Sequence, residues 1–288
     1  MDKLLYEPYC EFLNRLGHKT IRTGDTIWLD VRPGIFQPAA PFQAQQISEN
    51  DLANLLSRRG VLGCRWFSPQ DSSSPSESSG PVAYCVEPPY DLLNLSQKAR
   101  NQTRRGRERI EIERLVLNEA LESQCYRVYE DNLKRLGLLR RMGQIEKKWG
   151  RWVAAIKSSE LVELWTAWNQ KELAAFAVLV RSPFGSEIVL LRSAASPRGL
   201  YPNNALVFEM VSDAFRRGAE VISFGLSGYS AAGNGLDHFK QGMGFQIIPF
   251  SEHYSWSRFI RPFGPLLKPD RLRFLYHLSQ RTRPFTRK

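Results

Sequence analysis

Cysteine and histidine are scarce in this 288-residue chain, with four of each. The cysteines, Cys10, Cys64, Cys85 and Cys125, form no C-x-x-C pair, so their spacing supports neither a zinc site nor thioredoxin-like chemistry. The histidines do not have the spacing of metal ligands either. We therefore predict reduced, mostly buried thiols and no metal site.

Long apolar runs are also missing. The longest, residues 173–180, is far shorter than the roughly 20 residues that span a bilayer. Residues 1–7 lack the basic flank and apolar stretch of a secretion signal. The chain contains no Walker loop, no G-x-S-x-G elbow and no H-E-x-x-H helix. These absences lead us to expect a soluble cytoplasmic protein without those common catalytic motifs.

Positive charge is abundant and unevenly placed. The net charge is +11, and residues 257–288 hold nine Lys or Arg against one acid, Asp270. A second basic cluster consists of Lys98, Arg100, Arg104, Arg105, Arg107 and Arg109. Such blocks attract phosphates, nucleic acid or acidic lipids. They are also compatible with a solvated surface, and cations near a helix C-terminus complement its dipole.

Apolar periodicity gives a clear order of elements in the second half. It predicts strands at 161–168, 173–181 and 188–193, a helix at 203–217, a strand at 221–224, a helix at 235–242 and a strand at 245–250. Strand patterns also occur at 26–31 and 82–86, and a Ser-rich loop is predicted at 68–81. We therefore predict an α/β (α+β) fold with a mixed sheet flanked by helices.

The most informative stretch follows the strand that ends at Phe224-Gly225. After a loop of small polar residues it reads Gly235-Leu236-Asp237-His238-Phe239-Lys240-Gln241-Gly242-Met243-Gly244. This order resembles the C-terminal part of FemAB-like acyltransferases of the GNAT superfamily. In those proteins a strand ending in Phe-Gly is followed by Gly-Leu-x-x-Phe-Lys-x-x-(Phe/Met)-Gly.

The resemblance implies two GNAT-like units in tandem. Residues 1–116 would form a degenerate N-terminal unit that contains the Ser-rich loop. Residues 117–256 would form the acyltransferase unit, and residues 257–288 a basic aromatic tail. The acceptor would bind in the cleft between the two units.

The resemblance also implies catalytic residues. Phe239 and Lys240 would lie near the acyl linkage of the donor, where Lys240 could stabilise the charge of a tetrahedral intermediate. Asp237 or His238 could accept a proton, and Glu187 is a general-base candidate by its place in the GNAT order. Two other interpretations stay open, because Lys240 could be a surface lysine and Glu187 an edge carboxylate.

Donor binding is expected at the start of the predicted helix 203–217, whose free N–H groups suit a phosphate. The candidates there are Arg198, Gly199, Asn203 and Asn204. Residues 198–202 do not fit the Arg/Gln-x-x-Gly-x-Gly/Ala loop of acetyl-CoA enzymes, which disfavours simple use of acetyl-CoA. The two asparagines could equally cap the helix.

The segment at 95–106 resembles a basic FemAB-like helix that leads into a strand. This likeness implies that Arg100, Arg104 and Arg105 contact phosphates of the donor or acceptor. The alternative for these arginines is the solvated, dipole-compensating role described above.

Together these features predict an acyltransferase that moves an acyl or aminoacyl group to an amine. No bound cofactor is expected; the donor would be acyl-CoA or aminoacyl-tRNA, and the acceptor a cell-envelope molecule such as a peptidoglycan precursor. The tail at 257–288 could touch an anionic membrane from its inner face. Two alternatives stay open: a non-catalytic protein of this fold that binds nucleic acid or membrane, and an acetyl-CoA-dependent N-acetyltransferase.

Overall fold

The computed structural model describes residues 3–40, 47–69, 82–136, 142–195, 198–227 and 233–262. Most of the predicted Ser-rich loop and residues 263–288 of the predicted tail lie outside these ranges. The helices are α1 Tyr6–Arg15, α2 Glu49–Leu56, α3 Gln97–Arg107, α4 Glu119–Arg135, α5 Met142–Lys157, α6 Pro202–Arg216 and α7 Gly233–Gly242. The strands are β1 Thr20–Thr23, β2 Thr26–Arg32, β3 Ile35–Pro38, β4 Gly63–Pro69, β5 Val82–Val86, β6 Glu111–Leu115, β7 Val162–Asn169, β8 Glu172–Ser182, β9 Gly185–Ser193, β10 Ile222–Ser227 and β11 Gln246–Trp256.

All of these strands belong to one mixed sheet, in the order β1-β2-β3-β4-β11-β5-β10-β9-β8-β7-β6. Strands β7, β8 and β9 form the predicted antiparallel meander. Helix α6 then carries the chain across to β10, which runs parallel to β9. The predicted mixed α/β class is confirmed.

Strand β11 extends beyond the predicted end at residue 250 and links the two halves of the chain. Its first part pairs with β5, from Gln246 to Pro249, and its second part pairs with β4, from Phe250 to Trp256. Those pairings are long-range, which is why the local pattern did not reveal them. The division of the chain at residues 116 and 117 remains a prediction.

The two largest apolar cores in the described ranges lie on opposite faces of the sheet, and β5 shows how alternation separates them. Ala83 and Cys85 belong to the core that includes α1, α4 and α5. Tyr84 and Val86 belong to the core that includes α3, α6 and α7. We call these faces the α1 face and the α6 face. A strand buried on both sides carries apolar residues at consecutive positions, as the sequence 82–86 does.

Apolar spacing predicts one helix over residues 90–105, but the structure divides this segment into two elements. Residues Leu92–Asn94 form one turn of 3-10 helix, closed by a capping box from Asp91. Helix α3 then starts after Ser96, whose side chain accepts a hydrogen bond from the Ala99 amide. The local capping groups outweigh the apolar spacing and divide the segment in two.

Candidate active site

Lys240 is a buried lysine near the end of α7. Its residue surface is 3% exposed, and its Nζ lies 4.6 Å from the ring centre of Tyr84 and 5.2 Å from that of Phe224. Aromatic faces attract a cation through their quadrupole, so the two rings stabilise an ammonium at this point. The interpretation as a surface lysine is therefore excluded.

The neighbours of Lys240 on α7 shape its surroundings. The Phe239 ring packs edge-on against Phe224, with ring centres 6.4 Å apart. Burial lowers the pKa of Lys240, while the charges of Asp237 and, to a smaller extent, Glu187 raise it. The nearby carboxylates thus favour the charged form of Lys240 and oppose the effect of burial on its pKa. His238, the other proton acceptor considered from the sequence, is exposed.

Glycines of the motif allow the end of α7 to dock closely. Gly244 adopts φ +88°, and a Cβ there would lie 3.0 Å from the Asn94 carbonyl oxygen. The Ser96 amide donates to the Gly242 carbonyl at 2.9 Å, and the Tyr90 hydroxyl donates to the Met243 carbonyl at 2.9 Å. These contacts fix the turn that holds Lys240 over the sheet.

Glu187 lies at the base of a fork between β9 and β10. The two parallel strands pair only at two positions, Ile222 with Ser186 and Ser223 with Glu187. Beyond Glu187 the strands separate, and at Gly225, where φ is +70°, strand β10 also shifts its register against β5. A Cβ added at Gly225 would lie 3.8 Å from Glu187 Oε1, so the carboxyl group occupies the mouth of this gap.

The carboxyl group of Glu187 is held in an unfavourable setting for charge. Burial raises its pKa to about 7, and the Lys240 ammonium partly offsets that rise. Among the described residues none donates a hydrogen bond to this carboxyl group or forms an ion pair with it. A carboxylate with such a pKa is divided between its two protonation states near neutral pH, as a general base requires.

Three further side chains surround Glu187 on the α1 face. Ser223 and Cys85 are cross-strand neighbours, so they point to the same side as Glu187. Tyr9 reaches this point from α1, where burial and the Glu187 charge raise its pKa well above the ordinary value. Burial likewise raises the pKa of the Cys85 thiol to about 12, so both groups remain protonated near neutral pH.

Lys240 and Glu187 belong to opposite faces of the sheet. Tyr84 and Phe224, which hold Lys240, contribute to the core of the α6 face, whereas Glu187 shares the α1 face with Cys85. The charge of each nevertheless acts on the pKa of the other. Because β9 and β10 diverge between them, a molecule that enters the fork can reach groups from both faces.

A cleft of about 200 Å³ opens at the end of β9, and its lining combines β9, α4, α6 and α7. The lining residues are Arg135, Ser193, Ala194, Tyr201, Pro202, Asn203, Asn204 and Phe239. It is therefore bordered by the C-terminal end of β9 and by the first turn of α6. Phe239 links the cleft to the neighbourhood of Lys240.

The first turn of α6 carries no side-chain cap. Tyr201 precedes it in the left-handed conformation, at φ 53° and ψ 46°, and makes no capping hydrogen bond. Asn203 donates to Ser193 Oγ at 3.2 Å, and Asn204 donates to Gln102 Oε1 at 3.4 Å. Asn203 Oδ1 is buried without a partner. The asparagine side chains therefore do not cap α6. Pro202 has no N–H group and the Asn204 amide donates to the Tyr201 carbonyl at 3.2 Å, so among these residues the Asn203 amide is the one that remains available to a ligand.

In the described ranges the lining of this cleft includes the predicted residues Asn203 and Asn204 but not Gly199, Arg100, Arg104 or Arg105. Arg198 and Gly199 belong to a short 3-10 turn before α6, and Gly199 is exposed. Arg104 and Arg105 are exposed on α3. Arg100 instead donates to the carbonyls of Leu93 and Leu95, so part of its guanidinium holds the preceding loop.

Sequence reasoning missed Tyr9, Tyr84, Cys85 and Ser223 as members of the site. Each has an ordinary local pattern of helix or strand. Sheet pairing brings Cys85 and Ser223 close to Glu187 and Tyr84 close to Lys240, whereas the packing of α1 on the sheet brings Tyr9 close to Glu187. In the described ranges no group of three or more His, Cys, Asp or Glu side chains could hold a metal ion. In the same ranges no helix is long and apolar enough to cross a membrane.

Comparison with known proteins finds the same fold among solved structures. No protein-family model matches the chain, and a search of curated proteins found no match. Among solved structures, FemX superimposes with a TM-score of 0.63 at 12% identity, covering 92% of this chain and 94% of FemX. L-PGS from Bacillus licheniformis gives a TM-score of 0.55 at 14% identity, over 89% of this chain and 92% of that one.

A third structure agrees with these two. It is the C-terminal domain of a protein assigned as a lysylphosphatidylglycerol synthetase from Agrobacterium fabrum, with a TM-score of 0.54, 13% identity and coverage of 85% and 86%. Similarity at such identities concerns the fold. The chain shares the fold of these three structures, in agreement with the FemAB-like resemblance of the motif at 224–244.

Proposed function

We propose that this protein transfers an acyl or aminoacyl group from an activated donor to an amine. The observation that carries the proposal is the fork between β9 and β10. At its base lies Glu187, whose pKa is about 7, and the buried ammonium of Lys240 lies on the opposite side. A proton acceptor and a cation beside one gap are two of the groups that acyl transfer requires.

The donor binds, in this proposal, along the cleft at the first turn of α6. The free amide of Asn203 and the helix dipole favour a phosphate there, and Arg198, Gly199, Arg104 and Arg105 are the further residues that we propose to contact the donor. The unpaired Oδ1 of Asn203 would accept a hydrogen bond from an N–H or O–H group of the donor. Phe239 would guide the reactive carbonyl toward Lys240.

In the proposed reaction the Glu187 carboxylate accepts a proton and the Lys240 ammonium stabilises negative charge. The neutral amine nitrogen attacks the carbonyl carbon and, as the new C–N bond forms, gives one proton to the Glu187 carboxylate. The negative charge that develops on the carbonyl oxygen is stabilised by the Lys240 ammonium. The C–S or C–O bond to the leaving group breaks, and the protonated Glu187 can return a proton to the departing thiolate or alkoxide. Asp237 helps to keep Lys240 charged.

Acyl-CoA and aminoacyl-tRNA are the proposed donors, bound as substrates and not as resident cofactors. Similarity of fold to a protein named for lysylphosphatidylglycerol synthesis supports an aminoacyl donor. A basic chain of net charge +11 suits a polyanion such as tRNA. We propose an amine-bearing cell-envelope molecule, such as a peptidoglycan precursor, as acceptor, bound between two GNAT-like units.

Direct binding tests this proposal on the purified full chain at moderate salt. A panel of acyl-CoA molecules is compared with charged and uncharged tRNA, first with the wild-type protein and then with Lys240→Ala. We expect saturable binding of one donor class, and transfer to an amine that Lys240→Ala slows roughly 10²–10³-fold while binding persists. Full turnover by a stably folded Lys240→Ala protein would exclude the catalytic role.

A non-catalytic protein that binds nucleic acid or membrane is the second candidate, favoured by the excess of positive charge. Its binding should be strongly salt-dependent and indifferent to Lys240. The third candidate, an acetyl-CoA-dependent N-acetyltransferase, requires saturable acetyl-CoA binding although residues 198–202 lack the usual loop pattern. Binding measurements with the same panel of donors distinguish these three candidate functions.

A further inference from the structure

A second cleft lies at the far end of β11, away from the fork. It has a volume of about 750 Å³ and is lined by Leu56, Ser57, Tyr254, Ser255, Trp256, Ser257, Arg258, Phe259 and Arg261. Strand β11 passes β5 near the fork at Gln246 and reaches this cleft ten residues later at Trp256. At about 3.4 Å per residue the separation is on the order of 30 Å, so the cleft is distinct from the candidate active site.

Aromatic and apolar groups give this end of the sheet an exposed apolar centre. Phe259 is 72% exposed and Leu62 is 41% exposed. The Ser257 amide donates to the Leu62 carbonyl at 2.9 Å, which brings these two segments together. The rings of Tyr254 and Trp256 stack with centres 6.2 Å apart, beside the same cleft.

Four arginines surround this apolar centre. Arg258 and Arg261 border the cleft, and Arg58 and Arg59 lie in the turn between Ser57, which lines it, and Leu62. All four are exposed, and in the described ranges none of them forms an ion pair with an acid. The Arg258 guanidinium lies over the Phe259 ring at 4.6 Å. We call these four arginines, Leu62, Trp256 and Phe259 the aromatic–arginine surface.

We propose that the aromatic–arginine surface docks on an anionic lipid bilayer. Aromatic rings suit the boundary between water and lipid, and arginines beside them attract acidic headgroups. The combination of an exposed Phe with four uncompensated cations fits a bilayer better than a free phosphate, which would leave Phe259 and Leu62 in water. The proposal is independent of acyl transfer, because none of these residues belongs to the fork or to the α6 cleft.

Co-sedimentation of the full chain with vesicles tests this surface. The vesicles contain either phosphatidylcholine alone or phosphatidylcholine with 30% phosphatidylglycerol, at low and at physiological salt. We expect binding only to the anionic vesicles. Each basic residue near such a surface contributes about 1 kcal/mol, so the double variant Arg258→Gln/Arg261→Gln should bind on the order of tenfold or more weakly. Phe259→Ala should bind several-fold more weakly.

Matched variants keep the test specific. Lys147→Gln/Lys148→Gln removes two exposed cations from α5, and Val116→Ser changes a side chain that is 89% exposed elsewhere. Neither should alter vesicle binding. Equal sedimentation of the Arg258/Arg261 variant and the wild type would overturn the proposal. So would preferential saturation by an RNA oligonucleotide that depends on the same arginines, since the surface would then serve nucleic acid.

Discussion

The carboxyl group of Glu187 lies against Gly225, with Oε1 3.8 Å from the position that a Cβ of residue 225 would take. That distance is an ordinary van der Waals contact, so a side chain would find space. The backbone is the constraint, because φ is +70° at Gly225. The fork beside Glu187 therefore depends on a conformation that glycine adopts freely and most other residues resist.

Gly225→Ala should destabilise the fold by roughly 1 kcal/mol because alanine is strained at positive φ. Gly225→Asn should lose less stability, since asparagine tolerates the left-handed region better than alanine does. Urea titration of the two variants gives their free energies of unfolding, which are compared with that of the wild type. If alanine proved as stable as glycine, the backbone at this position would not need positive φ.

Glu187 should make the stability of the protein depend on pH. Its folded pKa of about 7 lies above the ordinary value of 4.5, so between these values the folded state binds more protons than the unfolded state. Stability from this group is thus fully present below about pH 4.5 and is lost as pH rises through 7. The loss is on the order of 3 kcal/mol.

To test this, the free energy of unfolding is measured as a function of pH for the wild type and for Glu187→Gln, and the two slopes are compared. We expect the wild type to fall between pH 5 and pH 8 relative to the variant, which cannot titrate at this position. Parallel curves would mean that Glu187 keeps an ordinary pKa in the folded state.

Lys240→Met should remove activity while preserving the fold. Methionine fills similar space beside Tyr84 and Phe224 without a buried charge, so the free energy of unfolding should stay the same or rise. Turnover should fall roughly 10²–10³-fold if the ammonium stabilises the intermediate. Lys171→Met, at an exposed turn, serves as the control and should keep full turnover.

The same variant should also act on Glu187. The Lys240 charge lowers the pKa of Glu187, so its removal should move that pKa upward. In the plot of rate against pH for the residual turnover of Lys240→Met, the rise on the acidic side should then shift to higher pH. A limb that stays in place would show that the two groups do not influence each other.

Gly106 and Gly150 form a matched pair of helical glycines. A Cβ at Gly106 would lie 2.9 Å from the Tyr201 carbonyl oxygen and 3.0 Å from Ala205 Cβ, whereas at Gly150 nothing lies within 4 Å. Gly106→Ala should push α3 away from the start of α6, cost about 1–3 kcal/mol and weaken donor binding. Gly150→Ala should instead add about 0.5–1 kcal/mol through helix propensity. Thermal unfolding and donor titration distinguish the two, and equal effects would contradict this account of the α3–α6 contact.

Much of the second half of the fold could be predicted because its elements carry strong local signals. The strands at 161–193 alternate or run apolar between turn residues, and α6 follows a clear apolar face. The start of α3 could not be placed so well, because Asp91 and Ser96 cap two separate turns within one apolar pattern. The far half of β11 depends on pairing with β4, some 185 residues earlier in the chain, which no local window contains.

The candidate site was predictable where a motif marked it and hidden where only topology assembles it. Phe239 and Lys240 followed from the family-like motif, and Glu187 from its place in the order of elements. The burial of Lys240 between Tyr84 and Phe224 required the antiparallel pairing of β5 with β10. Charge alone did not distinguish Arg100, which holds a loop, from its exposed neighbours Arg104 and Arg105.

The most direct test of the central claim is the pH dependence of a single round of acyl transfer from a bound donor to an amine, in the wild type and in Glu187→Gln. We predict that the wild-type rate rises through a pKa near 7 and that the variant is slower by two or more orders of magnitude without that limb. A variant that matched the wild type at every pH, or a wild type that bound donors and never transferred them, would contradict the account.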